Sequence, residues 1–217
     1  MEPQLTGETN QITIKLQEIA AEVAVCPDCE LCRTRTLAVP GEGNHNAKIL
    51  LIGEGPGWHE DQKGVPFVGA AGKFLTELLG FAGLTREDVF ITNVVKCRPP
   101  GNRDPYPDEI AACSKYLDRQ IEAINPDVIV TLGRFSMSRW FPGERISKIH
   151  GQPKREGDRM IVPMYHPAAA LHQGALRVPI QEDFAKLPKM LDDLERERFK
   201  SAEPKAEDPL ANQMKLF

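Results

Sequence analysis

The sequence predicts an α/β fold: a three-layer αβα sandwich around a central four-stranded parallel sheet. Three observations predict it. Four short, β-branched apolar runs are spread along the chain, each run ends in glycine, proline or polar residues, and segments with helical apolar spacing lie between them. Strands that alternate with helices form parallel sheets covered on both faces, and such sheets bind ligands beyond the carboxyl ends of their strands.

In chain order, residues 10 to 24 carry apolar side chains at helical spacing and predict an amphipathic helix leading into the segment Cys26–Cys32. Residues 33 to 47 read as loop. Lys48–Ile52 is the first strand, and it breaks at once into GEGPGWHEDQKGVPFVGAAG, residues 53 to 72. Glycines there allow close backbone approach to a ligand, and Pro56 stiffens the turn. Ala70–Ala82 reads as a helix ending near Gly83, and Val89–Val95 as the second strand, with Asn93 near its end. Residues 96 to 103 form a stiff basic loop. Pro107 suits a first helical turn, so Asp108–Ile124 is a helix; Asp127–Leu132 is the third strand, closed by Gly133. A short helix follows through Ser136–Trp140, then an irregular segment rich in Lys and Arg from 141 to 159. Met160–Tyr165 is the fourth strand, ending at His166-Pro167; Ala168–Leu171 begins a short helix, and Gln181–Phe199 is the last long one.

With 217 residues, 41% of them hydrophobic, the chain can bury one core, so one domain over 1–199 and a tail over 200–217 are expected. A net charge of −4 argues against a protein that coats nucleic acid indiscriminately, though a local basic face is compatible with it. No apolar run approaches the roughly 20 residues that span a bilayer. The first ten residues lack a basic-then-apolar export pattern, and the expectation is a soluble, cytoplasmic monomer. Five cysteines, an odd count, do not suggest a disulfide framework. Cys26 and Cys29 form a close pair, and Cys97 and Cys113, with fifteen residues between them, can complete a four-cysteine site. Spacing alone leaves zinc, an iron–sulfur cluster and unrelated buried thiols all open.

The predicted strand order places Glu54, Asn93, Gly133 and His166 at or just past strand carboxyl ends, where they converge on one crevice. An aromatic ring, a primary amide, an imidazole and a glycine-rich loop suit a flat, neutral, hydrogen-bonding ligand such as a nucleobase. Each alone has a plain structural role: core packing for Phe67, turn capping for Asn93, local structure for His166.

Five motifs resemble those of the iron–sulfur uracil-DNA glycosylases, family 4 of their superfamily, in the same order over roughly residues 16 to 199. They are Cys26-x2-Cys29-x-Leu31, Gly53-Glu54-Gly55-Pro56-Gly57-x2-Glu60-Asp61, Gly64-x-Pro66-Phe67-Val68-Gly69, Thr92-Asn93-x2-Lys96-Cys97-Arg98-Pro99-Pro100, and His166-Pro167-Ala168-Ala169-Ala170-Leu171. The resemblance implies that Cys26, Cys29, Cys97 and Cys113 ligate a structural [4Fe–4S] cluster, with Cys32 spare. It implies that Phe67 stacks on a flipped-out uracil, that the Asn93 amide reads its pairing edge, and that His166 donates to uracil O2 as the glycosidic bond breaks. The water would sit in the loop of Gly53, Glu54, Gly55 and Gly57, with Glu54 either general base or loop organiser; Glu60 would line the base pocket.

The same map gives Lys96, Arg98, Arg103 and Arg177 to DNA phosphates and Leu171 either to the gap left by the flipped nucleotide or to inward helix packing. His150, in Ser147-Lys148-Ile149-His150-Gly151, reads as bordering the groove or as a solvated loop residue. One superfamily relative traps its substrate through a histidine on an insertion between the equivalents of Asn93 and Cys97. Here only Val94, Val95 and Lys96 separate them, so turnover is expected. A uracil-DNA sensor and a zinc-stabilised module with another ligand are the competing readings. Finally, the polar, proline-containing stretch from Ser201 predicts a disordered linker, and Gln213, Leu216 and Phe217 resemble the short peptide by which bacterial repair proteins bind the sliding clamp.

Overall fold

The structure, a computed structural model, describes residues 7 to 202, with side-chain environments from 9 to 200. The expected tail over 200–217 starts inside the described residues, since the last helix runs on through Ala202; from 203 on, the clamp-like residues 213 to 217 included, it lies outside them. Along the chain run α1 (Gly7–Val25), β1 (Glu42–Gly43), β2 (Ile49–Gly53), α2 (Trp58–Lys63), α3 (Ala70–Phe81) and β3 (Val89–Asn93). Then follow α4 (Pro107–Ile124), β4 (Val128–Leu132), α5 (Arg134–Met137), α6 (Ile146–Ile149), β5 (Lys154–Glu156) and β6 (Arg159–Met164). The last helices are α7 (Pro167–His172), α8 (Arg177–Ala185) and α9 (Leu187–Ala202).

The four expected strands pair in parallel in the order β3-β2-β4-β6. Strands β2, β3 and β4 are buried at every position, as β-branched runs covered on both faces should be. Alternate residues feed two cores. Leu51, Ile91 and Val130 pack with Phe74, Leu75 and Leu78 of α3, Phe184 of α8 and Leu194 of α9; Leu50, Ile52 and Ile129 pack with Ile19 of α1 and Tyr116 and Leu117 of α4. This is the expected three-layer sandwich. The reversal of strand order around β2 opens a crevice at the carboxyl ends, where Gly53 and Asn93 lie side by side in register.

Three features differ from expectation. The sheet has six strands, because β1 and β5 add short antiparallel edges to β3 and β6; β5 is wholly exposed, so no apolar pattern marks it. The glycine-rich loop contains a one-and-a-half-turn helix, α2. The last helix is two, α8 and α9, broken at Lys186, because Pro188 has no N–H to return to the turn before it.

Leu75 is fully buried in the core beneath β2, whereas Phe199 is 75% exposed. Urea titration of Leu75→Ala is expected to show a loss of about 2–5 kcal/mol, and Phe199→Ala a change within about 0.5 kcal/mol.

Candidate active site

The floor of the crevice is a contact that permits only glycine. A Cβ at Gly53 would lie 2.3 Å from Asn93 Oδ1 and 2.7 Å from the Phe67 ring. Both side chains therefore close over the end of β2. Phe67 takes a left-handed backbone, φ 54°, which a bulky residue keeps only when its surroundings impose it. Glu60 Oε1 accepts the N–H groups of Val68 and Gly69, both at 2.8 Å. Arg86 donates to the carbonyls of Phe67 at 3.2 Å and Pro66 at 2.9 Å. At Gly72 in α3 a Cβ would stand 1.8 Å from the Phe67 carbonyl oxygen, so the helix can approach only because it has glycine there.

Asn93 is 1% exposed, and its Oδ1 is buried with no hydrogen-bond partner. Leaving such a group unsatisfied costs about 1–3 kcal/mol, and here an acceptor without a partner stands at the crevice floor. His166 caps α7: its Nδ1 accepts the Ala168 N–H at 3.1 Å. Packing around the ring pushes its pKa down from 6.5 to about 4, against the pull of Glu60. The ring is thus neutral near pH 7, and with Nδ1 accepting, its proton sits on Nε2. The imidazole lies 5.5 Å from the Phe67 ring, inclined 25°, and Gly133, with φ +90°, lets β4 end close beneath it.

The crevice brings together Glu54, Gly55, Gly57, Glu60, Phe67, Asn93 and His166 as expected, and adds Asn102, Asp104 and His172. Burial raises the Glu54 pKa; Asp104 adds to the rise and Arg134 opposes it. Glu60 lines the pocket and spends one carboxylate oxygen, Oε1, on the Phe67 loop. Arg86, which shares that work, carries no sequence signal, since only the folded chain brings it to residue 67.

The basic residues fare unequally. Lys96 does not face DNA: it is 1% exposed, with Nζ bonded to Thr92 Oγ1, the Asn93 carbonyl and Gln120 Oε1 at 2.6, 2.8 and 2.7 Å. Its neighbours Val95 and Cys97 are buried too, so the strand's inward path continues through it. Arg103 borders the crevice but grips Glu109 through both terminal nitrogens and lies 3.7 Å over the Tyr106 ring. Arg98 Nε bonds Asn102 at 2.7 Å, and Arg177 pairs with Glu77 above the Phe74 ring. Leu171 is 45% exposed, which removes the inward-packing alternative. His150 is no solvated loop residue, since Asp183 takes its Nδ1 at 2.6 Å.

On the other face of the sheet, Cys26, Cys29, Cys32, Cys97 and Cys113 line one void with Val23, Leu31 and Tyr116. All five are free thiols. Burial pushes Cys97 up to about 11 and raises Cys29 and Cys113. Donors already face the sulfurs: Arg35 Nη1 reaches Cys97 Sγ at 3.2 Å, and the Lys96 N–H reaches Cys113 Sγ at 3.3 Å. Among the described residues no set of three or more His, Cys, Asp or Glu side chains closes on a single-ion site.

Residues 40–195 match the family model described as the uracil DNA glycosylase superfamily. The chain belongs to that superfamily. It is similar to proteins named type-4 uracil-DNA glycosylase from Saccharolobus solfataricus, 53% identical with 81% of this chain and 86% of the relative covered, and from Sulfurisphaera tokodaii, 52% identical with 79% and 83% covered. A third, from Thermotoga maritima, is 48% identical over 79% of this chain and 93% of its own. Within the superfamily the chain therefore stands with the type-4 members. No helix among the described residues is long and apolar enough to cross a membrane.

Because the folded His166 pKa lies below the unfolded value, the unfolded chain binds the extra proton first as pH falls. The stability that neutral His166 confers is complete above pH 6.5 and is lost as pH falls from there through about 4. Thermal unfolding against pH should show wild type losing up to about 3 kcal/mol more than His166→Gln across that window. Gly53→Ala should keep the fold yet displace Asn93 and Phe67, visible as altered near-ultraviolet circular dichroism with the far-ultraviolet spectrum retained.

Proposed function

We propose that this chain excises uracil from DNA by hydrolysing its N-glycosidic bond and leaving an abasic site, the activity that its type-4 relatives are named for. The observation that carries the reading is the unpartnered Asn93 oxygen beside the Phe67 ring. Uracil presents an N3–H donor and an O4 acceptor, which match the oxygen and nitrogen of one amide; cytosine presents the reverse at both positions. The unpaired acceptor therefore distinguishes a deaminated cytosine from the base it came from. Phe67 offers the stacking face, and extrusion of the nucleotide brings the base to the crevice floor.

As the bond breaks, negative charge moves onto the departing base. His166 Nε2–H, held in that tautomer by the Ala168 N–H, donates to uracil O2, an interaction that strengthens only as the charge develops. A neutral donor suits this task, because it stabilises the anion without protonating it first. Glu54 and the backbone of Gly55 and Gly57 border the space for the attacking water, and a half-buried carboxylate with a raised pKa is a better proton acceptor than an exposed one. Phosphate contacts fall to Arg98, Arg103 and Arg177, and Leu171 at the open end of α7 fills the gap in the stack.

The cysteine-lined void fits an iron–sulfur cluster better than a single zinc ion, which draws four sulfurs to about 2.3 Å from one point. Cys26, Cys29, Cys97 and Cys113 would hold a [4Fe–4S] cluster, which when bound links the segment after α1, the loop after β3 and α4 by coordination. Arg35 and the Lys96 N–H stabilise the thiolates. Iron analysis is expected to give about four irons per chain with a brown chromophore; colourless protein containing zinc would rule this out. The sliding-clamp reading rests on Gln213, Leu216 and Phe217, and loss of clamp pull-down on deleting 213–217 would support it.

The test of the activity is a single-stranded oligonucleotide with one uracil, followed by alkali and a denaturing gel. Cleavage at uracil and not at thymine is expected, with His166→Ala lowering kcat about 10²–10³-fold; an uncut strand overturns the reading. The acid limb of kcat/KM should follow Glu54, setting in above the usual 4.5 because its pKa is raised, and should vanish in Glu54→Gln.

A further inference from the structure

Lys96 has three bonded partners, and their chemistry fixes its charge. Gln120 Oε1 and the Asn93 carbonyl can only accept. Thr92 donates its one hydroxyl proton to the Pro40 carbonyl at 2.8 Å, and Gln120 Nε2 donates to that same oxygen at 2.8 Å, so both residues turn their acceptor oxygens to Lys96. Three acceptors at 2.6, 2.8 and 2.7 Å require three N–H donors, and hence an ammonium. It is therefore a cation at 1% exposure whose partners are a hydroxyl, an amide and a peptide carbonyl, none of them charged. Buried charges are costly unless an opposite charge stands near. The Cys113 thiol lies within Coulombic reach of the ammonium, and the Lys96 backbone points its N–H at Cys113 Sγ, borders the cysteine void and immediately precedes Cys97.

We propose that Lys96 is the buried counter-cation of the four-cysteine site and, through its bond to the Asn93 carbonyl, the positioning residue that ties that site to the base-reading amide. The first half rests on the cluster reading given above. Four thiolates leave such a site net negative, and Lys96, with Arg35 that donates to Cys97 Sγ, balances it. The second half needs only the lysine's reach. One end of Lys96 stands against the thiols, and the other holds the backbone of the residue whose side chain reads the base.

The experiment uses the full chain, purified without oxygen, as wild type, Lys96→Met and Gln120→Glu. Iron and acid-labile sulfide, the midpoint potential from an electrode titration, and kcat and KM on a uracil oligonucleotide are measured for each. Removing a nearby buried positive charge makes a net negative cluster harder to reduce, so Lys96→Met should have a more negative potential than wild type and lose at least about ten-fold in kcat/KM. Gln120→Glu gives Lys96 a carboxylate in exchange for the Nε2–H bond to Pro40 and leaves the Lys96–Asn93 bond in place; its potential should also fall, with kcat/KM within about three-fold of wild type. Should Lys96→Met fail to take up iron, the potential of Gln120→Glu decides. Iron-loaded variants with wild-type potentials overturn the counter-cation role, and Lys96→Met with wild-type kcat/KM overturns the tie to Asn93. Wild type without iron overturns the cluster reading itself and with it the counter-cation, leaving the tie to Asn93 to be judged on kcat/KM.

Discussion

The closure of Asn93 and Phe67 over Gly53 is the contact on which the rest of the site depends. It requires β2 and β3 to end in register, which their buried parallel pairing imposes, and it requires residue 53 to have no side chain. It also requires Phe67 to keep a backbone conformation that costs energy, which is why so many groups converge on residues 66 to 69. The Glu60 carboxylate, the Arg86 guanidinium and the missing Cβ of Gly72 all act on those few peptide units. Local strain at Phe67 is thereby held by interactions spread over two helices and a strand end, and the ring presents one face to the crevice.

Two electrostatic environments lie on opposite faces of the same sheet. On the crevice side the groups are kept neutral or poised: His166 by packing, Glu54 by partial burial. On the other side Arg35 and the backbone N–H of Lys96 donate to the Cys97 and Cys113 sulfurs in a void lined by five thiols. The end of β3 separates them, because Asn93 points its side chain into one and its carbonyl toward the other.

Much of this was legible in the sequence, for a physical reason. Strands buried on both faces are written as unbroken apolar runs, so Ile49–Gly53 and Val128–Leu132 could be read within a residue or so. Residues just past such runs must meet at one sheet edge, as Glu54, Asn93 and His166 do. The edge strands Glu42–Gly43 and Lys154–Glu156 were not legible, since they bury too little to leave a pattern. Lys96 was misread because a charge beside Arg98 and prolines looks like a surface loop, and nothing local reveals that its ammonium meets Gln120 from α4. Long-range partners such as Arg86 are silent for the same reason: the information is in the packing and not in the neighbourhood.

The most direct test is a structure of the protein with free uracil bound. Uracil N3 should lie about 3 Å from Asn93 Oδ1, with the ring against Phe67 and O2 facing His166 Nε2. A base seated elsewhere in the crevice, or an Asn93 oxygen still without a partner in the complex, would contradict the account.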